Sequence, residues 1–186
     1  MRNLAWLQHN LCMVRLLTFT CYGCHLPGDI RGSFDHARNG ERRFLPPNPS
    51  LERYCREQMR QAAFFLSTAE SRTLVRDAII DVCRFRSWSL YAVHVRTSHV
   101  HGVVGSETQP DRVLHDWKSY AMRALRSAGL VLPGRTVWTR GGNAHNLVSG
   151  AAVNDAIRYV IERQGEPMEI YVCEPERLPP PWLAGL

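Results

Sequence analysis

The chain has 186 residues, 45% of them hydrophobic and 22% charged, which is typical of one globular domain with its own core. Its formal net charge of +6 favours polyanionic partners. No apolar run is long enough to span a bilayer, and the start lacks the apolar stretch of a signal peptide. Six scattered cysteines favour a reducing compartment. We therefore expect a single cytoplasmic domain over residues 1–186, with its core at about 12–173 and no membrane partner.

The first quarter of the chain predicts a strand followed by a long loop. Apolar and β-branched residues favour a strand over 11–21, and glycines and prolines mark irregular structure over 22–50. A loop of this length is usually functional. Cys21 and Cys24 form the only CxxC motif, which allows a zinc site, although a strand end with small residues is the favoured interpretation.

Two helices are expected next. Ser50 can cap a helix that continues from Arg53 to Leu66, and Thr68 or Ser71 can start a second one. Apolar residues recur in the second helix at helical spacing and give it a core face: Leu74, Val75, Ala78, Ile79, Val82 and Cys83.

The centre of the chain predicts two strands, 91–96 and 99–104, joined by a short turn over 97–98. His99 and His101 are two residues apart on the second strand, so both imidazoles leave the same face of the sheet. Such a pair can chelate one divalent ion if a third ligand comes from elsewhere. A solvated polar face explains the same pattern equally well.

The last third of the chain predicts a helix from Asp111 to about Ala128, stopped by Gly129. We expect a strand over 136–140, a turn over 141–143, and a helix that is capped by Asn154 and continues from Asp155 to Arg163 or Gln164. A last strand is expected over 168–172. The resulting order of elements predicts an α+β fold, an antiparallel sheet with helices packed mainly on one face.

Tyr159 lies on the last predicted helix, beside an apolar stripe and between Arg158 and Arg163. A tyrosine at the edge of the core would also look like this.

Four segments, in this order along the chain, carry a resemblance to a known family. They are 18–33 with its Gly-Asp-Ile-Arg-Gly loop, 99–104 with His-Val-His, 117–125 with a lysine on a helix, and 138–143 followed by the tyrosine helix. Together they resemble the single-tyrosine HUH transposases and their relatives, the REP-associated tyrosine transposases. The resemblance covers roughly residues 16–164.

The resemblance implies a ferredoxin-like fold and a metal-dependent endonuclease and transposase. Such an enzyme nicks and rejoins single-stranded DNA beside a hairpin through a 5′-phosphotyrosine on Tyr159. It implies that His99 and His101 bind Mg²⁺ or Mn²⁺ together with an amide side chain from the tyrosine helix. It also implies a homodimer associated with the bacterial nucleoid.

The third ligand departs from the family pattern. One turn after Tyr159 stands Arg163, a cation that cannot bind a metal. We therefore expect Gln164 to be the ligand, which requires the helix end to unwind toward Gly165, and Glu162 is the alternative.

Several side chains are expected to contact DNA: Asp29, Arg31, Lys118, Arg123, Arg140 and Arg158. Tyr120 is a rival nucleophile, although its helical face favours core packing. His94 is expected to be structural or to support a metal ligand. Tyr22, Trp88 and Trp138 are expected in the core, with base stacking as the alternative.

Three other functions remain open at this stage. A non-cleaving DNA-binding protein of the same fold is favoured by the spacing of Gln164, and by Ser98 where many relatives carry an acidic residue. A replication initiator or relaxase would usually be larger. A small RNA-binding protein would leave His99, His101 and Tyr159 unexplained.

Overall fold

The computed structural model describes residues 13–36 and 42–174. Its strands, numbered along the chain, are β1 (Met13–Thr20), β2 (Ser33–His36), β3 (Arg42–Leu45), β4 (Ser89–Val95), β5 (His99–Ser106), β6 (Asn143–Leu147) and β7 (Glu169–Val172). The α-helices of these residues are α1 (Pro49–Glu57), α2 (Ala69–Phe85), α3 (Pro110–Ser127) and α4 (Gly150–Glu162).

Five strands form one antiparallel sheet in the order β6-β1-β5-β4-β7, and β2 pairs with β3 separately. The path β1-α2-β4-β5-α3-β6, with β1 and β5 side by side at the centre, is the split βαβ arrangement of ferredoxin-like folds. The predicted α+β class with an antiparallel sheet is therefore confirmed.

The two faces of the sheet are covered by different helices. Leu17 and Phe19 of β1 and Val100 of β5 point into the large core beneath α2 and α3. Ala92 and Val103 point to the other face, where they join a smaller apolar cluster with α4. The helices α2 and α3 thus share one face, and α4 packs on the other.

Gly102 on β5 is needed for packing on the α2/α3 face. A Cβ atom at this position would lie 2.9 Å from the ring of Trp117, which is fully buried in α3. The indole nitrogen of Trp117 in turn lies 3.3 Å from the sulfur of Cys83 in α2. The glycine lets the indole pack directly beneath the strand that carries the two histidines.

The long loop predicted over 22–50 contains regular structure, which corrects that expectation. Residues 33–36 and 42–45 form the β2–β3 hairpin, and α1 already begins at Pro49. The cap of α1 is Asn48 rather than Ser50, because the Asn48 side chain accepts from the Leu51 amide at 3.0 Å.

α1 is also shorter than predicted. Its helical pattern was expected to continue to Leu66, but the helix ends at Glu57. The amide of Phe64 donates to the Tyr22 carbonyl, and that of Leu66 donates to the Thr97 carbonyl, both within 2.9 Å. Residues 64–66 therefore follow the end of the sheet, because the amides of Phe64 and Leu66 are hydrogen-bonded to other segments.

The strand predicted over 136–140 is wrong. This segment makes only an isolated bridge between Trp138 and Cys21, and the strand is β6, seven residues further on. Asn143 and His145 have low strand propensity, so pairing with the edge of β1 decides the conformation of β6.

The tyrosine helix begins earlier than expected. The Ser149 side chain accepts from the Ala152 amide at 3.1 Å, so α4 starts at Gly150 and Asn154 lies inside it.

Among the described helices, none combines the length and hydropathy needed to cross a membrane.

Candidate active site

His99 and His101 lie on β5, on the face of the sheet that α4 covers, with their ring centroids 4.8 Å apart. The Nδ1 atom of each ring is hydrogen-bonded to a hydroxyl. Thr18 Oγ1 lies 2.8 Å from the Nδ1 atom of His101, and Ser98 Oγ lies 2.9 Å from the Nδ1 atom of His99. Thr18 reaches His101 because the two residues are directly paired between β1 and β5. These hydroxyls fix the ring orientations and leave Nε2 as the nitrogen with which each ring would bind a metal.

Both imidazoles are held neutral by their surroundings. Burial, with the charges of Arg96 and Arg31, lowers the pKa of His99 to about 4. Burial, together with His99, lowers the pKa of His101 to about 3. Neutral imidazole is the form that binds metal ions, so the pair is in the binding state at pH 7.

Tyr159 stands over this pair. α4 packs on β4 and β5 through the fully buried Val160, and the Tyr159 ring lies 5.7 Å from that of His101, centroid to centroid, at an angle of 81°. The Tyr159 residue is 38% exposed. Its ring is thus fixed against the histidines while part of the residue remains accessible from solvent.

Gln164 is brought to the same place because the helix ends early. α4 stops at Glu162, and the chain turns at Gly165, which has a φ of +76°. In this turn the side-chain Nε2 atom of Gln164 donates to the Tyr159 carbonyl oxygen at 3.2 Å. The same side chain lies close enough to the ring of His99 to oppose the lowering of that ring's pKa by burial. The unwinding that Gln164 would require as a ligand is therefore present.

The residues that could hold a metal are two histidines and an amide. Within residues 13–36 and 42–174, no cluster of three or more histidine, cysteine, aspartate or glutamate side chains could do so. The alternative ligand, Glu162, lies exposed in the last turn of α4. Of these two candidate ligands, Gln164 is the one whose side chain lies near His99.

Two arginines add positive charge beside His99. Arg31 is held by Asp29, whose carboxylate accepts from its side chain at 2.7 Å and from its amide at 2.9 Å. These hydrogen bonds keep the pKa of Asp29 well below its usual range. The side chain of Arg31 is 55% exposed while that of Asp29 is 11% exposed, so the aspartate orients an arginine that faces solvent.

The other predicted DNA contacts lie in different surroundings. Lys118 and Arg123 belong to α3, which covers the opposite face of the sheet. Lys118 donates to the carbonyls of Thr139, at 2.9 Å, and Gly141, and burial lowers its pKa to about 8. Arg123 stacks over the ring of Tyr120 at 4.1 Å. The rival nucleophile is thus separated from the histidine pair by the sheet.

Arg140 and Arg158 are exposed. Arg158 precedes Tyr159 on α4 and pairs with Asp155 at 2.6 Å. Arg140 lies in the turn before β6. Neither has a described contact with the histidine pair.

The remaining sequence candidates belong to the body of the fold. Trp88 and Trp138 are each only 9% exposed, as expected for core residues, and Tyr22 is half-buried. Cys21 is buried at the end of β1, and the sulfur of Cys24 lies 3.0 Å from the Phe64 carbonyl oxygen.

Thr18 and Arg96 were missed in the sequence. Thr18 acts through its pairing with His101, and strand register is not readable from composition. Arg96 looks like an ordinary turn residue. The only available signal was its position three residues before the first histidine.

Comparison with known proteins finds no matching family model and no matching curated protein. Among solved structures, the chain is similar to a REP-associated tyrosine transposase bound to a REP hairpin, with a TM-score of 0.47 and 14% sequence identity. The similarity covers 81% of this chain and 66% of that one, which is just under two thirds. A likeness this distant leaves the geometry of the site as the basis for a functional conclusion.

Proposed function

We propose that this protein is a metal-dependent endonuclease and transposase of the single-tyrosine HUH type. It nicks and rejoins single-stranded DNA beside a hairpin through a 5′-phosphotyrosine. One observation carries this proposal: His99, His101, Gln164 and Tyr159 of a single chain converge on one face of the sheet. The sequence analysis had predicted these four residues as one site, with Gln164 in place of the amide that relatives carry one turn after the tyrosine.

The donor set fits the proposed metal. Two neutral imidazoles and an amide oxygen suit Mn²⁺, and Mg²⁺ more weakly because it prefers oxygen ligands. Nε2 of His99 and His101 and the amide oxygen of Gln164 would hold the ion. When bound, the ion would polarise the scissile phosphate as a Lewis acid and stabilise charge on the departing oxygen.

Tyr159 would act as the nucleophile. Its hydroxyl oxygen loses its proton and forms a bond to phosphorus, while the bond from phosphorus to the 3′-oxygen breaks. The strand on the 5′ side leaves with a 3′-hydroxyl after taking up a proton, and the other strand stays attached to Tyr159 through its 5′-phosphate. Attack by another 3′-hydroxyl reverses these changes and rejoins DNA, so no nucleotide cofactor is needed.

Positive charge near the site would guide the strand. Arg31, oriented by Asp29, and Arg96 lie close enough to His99 to lower its pKa, and both suit phosphate. We expect Lys118, Arg123, Arg140 and Arg158 to contribute less, because none has a described contact with the histidine pair. We also propose that the protein works as a homodimer on bacterial nucleoid DNA in the cytoplasm.

The test is a cleavage assay on single-stranded DNA carrying the repeats that flank the gene, with Mn²⁺ or Mg²⁺ present. We expect a covalent protein–DNA band on a denaturing gel. The band should disappear in Tyr159→Phe and fall at least about a hundredfold in His99→Ala, since a general acid–base or metal contribution is of that order. Tyr120→Phe is the matched control and should retain the band. Loss of the band in Tyr120→Phe but not in Tyr159→Phe would contradict the assignment.

A second candidate is a DNA-binding protein of this fold that does not cleave. It is favoured by the neutral third donor, since no carboxylate completes a metal-binding cluster among the described residues. Such a protein would bind hairpin DNA equally well in EDTA and in Tyr159→Phe, and would give no covalent band at any metal concentration.

A further inference from the structure

His94 is a fully buried histidine that is not among the residues proposed to bind the metal. It lies on β4, paired in register with His101 on β5. Its Nδ1 atom lies 2.9 Å from the Val160 carbonyl oxygen, and its Nε2 atom lies 3.2 Å from the Met168 amide nitrogen. Both nitrogens are therefore used by the backbone of the segment that follows Tyr159.

These two partners determine the state of the ring. A carbonyl oxygen only accepts, so Nδ1 carries the hydrogen, and an amide N–H only donates, so Nε2 presents its lone pair. His94 is consequently a neutral imidazole of one tautomer with no nitrogen left for a metal. Its role therefore depends on the backbone groups to which it is hydrogen-bonded.

The segment that His94 holds carries Gln164. Val160 is among the last four residues of α4, whose carbonyls have no partner within the helix. His94 donates a hydrogen bond to one of these carbonyls, that of Val160. It also accepts a hydrogen bond from the Met168 amide, at the far end of the turn. Gln164 lies between the two anchored points, where its side-chain Nε2 atom donates to the Tyr159 carbonyl at 3.2 Å and its side chain lies near His99.

The β4–β5 hairpin contacts the turn after α4 at two further points. Arg96 donates from its guanidinium to the Glu166 carbonyl, and the Thr97 hydroxyl lies 3.5 Å from the sulfur of Met168. His94, Arg96 and Thr97 all belong to β4 or to the turn that follows it. The turn after the tyrosine helix is thus bonded to the strand pair that carries the histidines.

We propose that His94 is a positioning residue that sets the place of Gln164 relative to His99 and thereby the metal affinity of the site. This inference rests on the proposed function. It assigns to His94 no contact with metal or DNA, only the anchoring of the two backbone points on either side of Gln164. Supporting groups of this kind typically change metal affinity or activity by 10–100-fold.

The experiment measures Mn²⁺ binding by the free-ion EPR signal in the absence of DNA. His94→Phe keeps a ring of similar volume and removes both hydrogen bonds. We expect its Kd for Mn²⁺ to rise about tenfold. His94→Gln keeps one donor and one acceptor and should recover part of the loss. His145→Phe, at an exposed histidine on β6, is the matched control and should leave the Kd unchanged.

A double-mutant cycle distinguishes positioning from general damage. If His94 acts through Gln164, then His94→Phe should change the Kd less than about twofold in a Gln164→Ala background. A full tenfold loss in that background would overturn the inference, because His94 would then act by another route. A His94→Phe protein with wild-type affinity would overturn it as well.

Hydrogen exchange of the metal-free protein gives a readout that does not depend on activity. We expect amides 161–168 to exchange at least about tenfold faster in His94→Phe than in wild type or His145→Phe, since two anchoring hydrogen bonds are lost. Unchanged exchange would overturn the anchoring. A wild-type protein that forms no covalent adduct and binds no Mn²⁺ would instead refute the proposed function, whatever the exchange rates of His94→Phe.

Discussion

The two faces of the central sheet have different tasks, although the same two strands supply both. On β1, Phe19 points into the core beneath α2 and α3, while its neighbour Thr18 points to the α4 face and holds His101. On β5, Val100 points one way and the flanking histidines the other. Because side chains alternate along a strand, a single residue step separates a stabilising position from a chemical one. The α4 face can therefore carry buried polar groups while the opposite face carries most of the core.

The largest expected effect lies on the α2/α3 face. Trp117→Ala removes a fully buried indole that packs beneath Gly102. We expect the free energy of unfolding to fall by about 3–5 kcal/mol, since both transfer and cavity terms are lost. Urea denaturation followed by circular dichroism measures this change. An effect below about 1 kcal/mol would show that this face is not the main source of stability.

A change on the α4 face should separate metal binding from stability. Thr18→Val keeps the shape of the side chain and removes the hydroxyl beside His101 Nδ1. We expect the Kd for Mn²⁺ to rise about tenfold, because the ring loses the group that orients it. The free energy of unfolding should change by only about 1 kcal/mol. Isothermal titration and urea denaturation of the same protein give the two values.

Thr20→Val is the matched control for this substitution, since it changes another threonine of β1. It pairs with His99 in register but has no described bond to that ring. A Thr20→Val protein that loses as much metal affinity as Thr18→Val would contradict the role of the hydroxyl.

The smallest effect concerns the loop beside the site and depends on pH. Asp29 is paired with Arg31, so its pKa in the folded protein lies below the ordinary value of 3.8. The unfolded chain therefore binds more protons between these two values, and stability falls as the pH falls through them. At pH 7 we expect Asp29→Asn to lower the free energy of unfolding by about 1 kcal/mol.

The difference between wild type and Asp29→Asn should shrink below about pH 4, because the wild-type carboxylate then loses its advantage. Urea denaturation at pH 7, 5, 4 and 3 measures it. A difference that stays constant over this range would mean that the charge of Asp29 contributes nothing to stability.

Much of the fold was predictable because its elements have strong local signals. α3 starts at a proline and is followed by Gly129, which has a φ of +73°, and both ends agree with the sequence. The expected strands at β1, β4, β5 and β7 are present. The failures share a cause: residues 64–66 and β6 take their conformation from backbone hydrogen bonds to distant segments. Local propensity cannot predict these hydrogen bonds, because the partners are distant in the sequence.

The sequence by itself determined the alternation that puts His99 and His101 on one face, and the resemblance singled out Tyr159. It left the third ligand between Gln164, which was preferred, and Glu162. Spacing along the chain sufficed for the histidines because a strand has a fixed period of two. Only the tertiary structure decided that the Thr18 hydroxyl is hydrogen-bonded to His101. It also decided that His94 is hydrogen-bonded to Val160 and Met168, on either side of Gln164. Those contacts depend on the register of β1 against β5 and on how α4 packs on the sheet. Both are set by the burial of many side chains together, which no single stretch of sequence encodes.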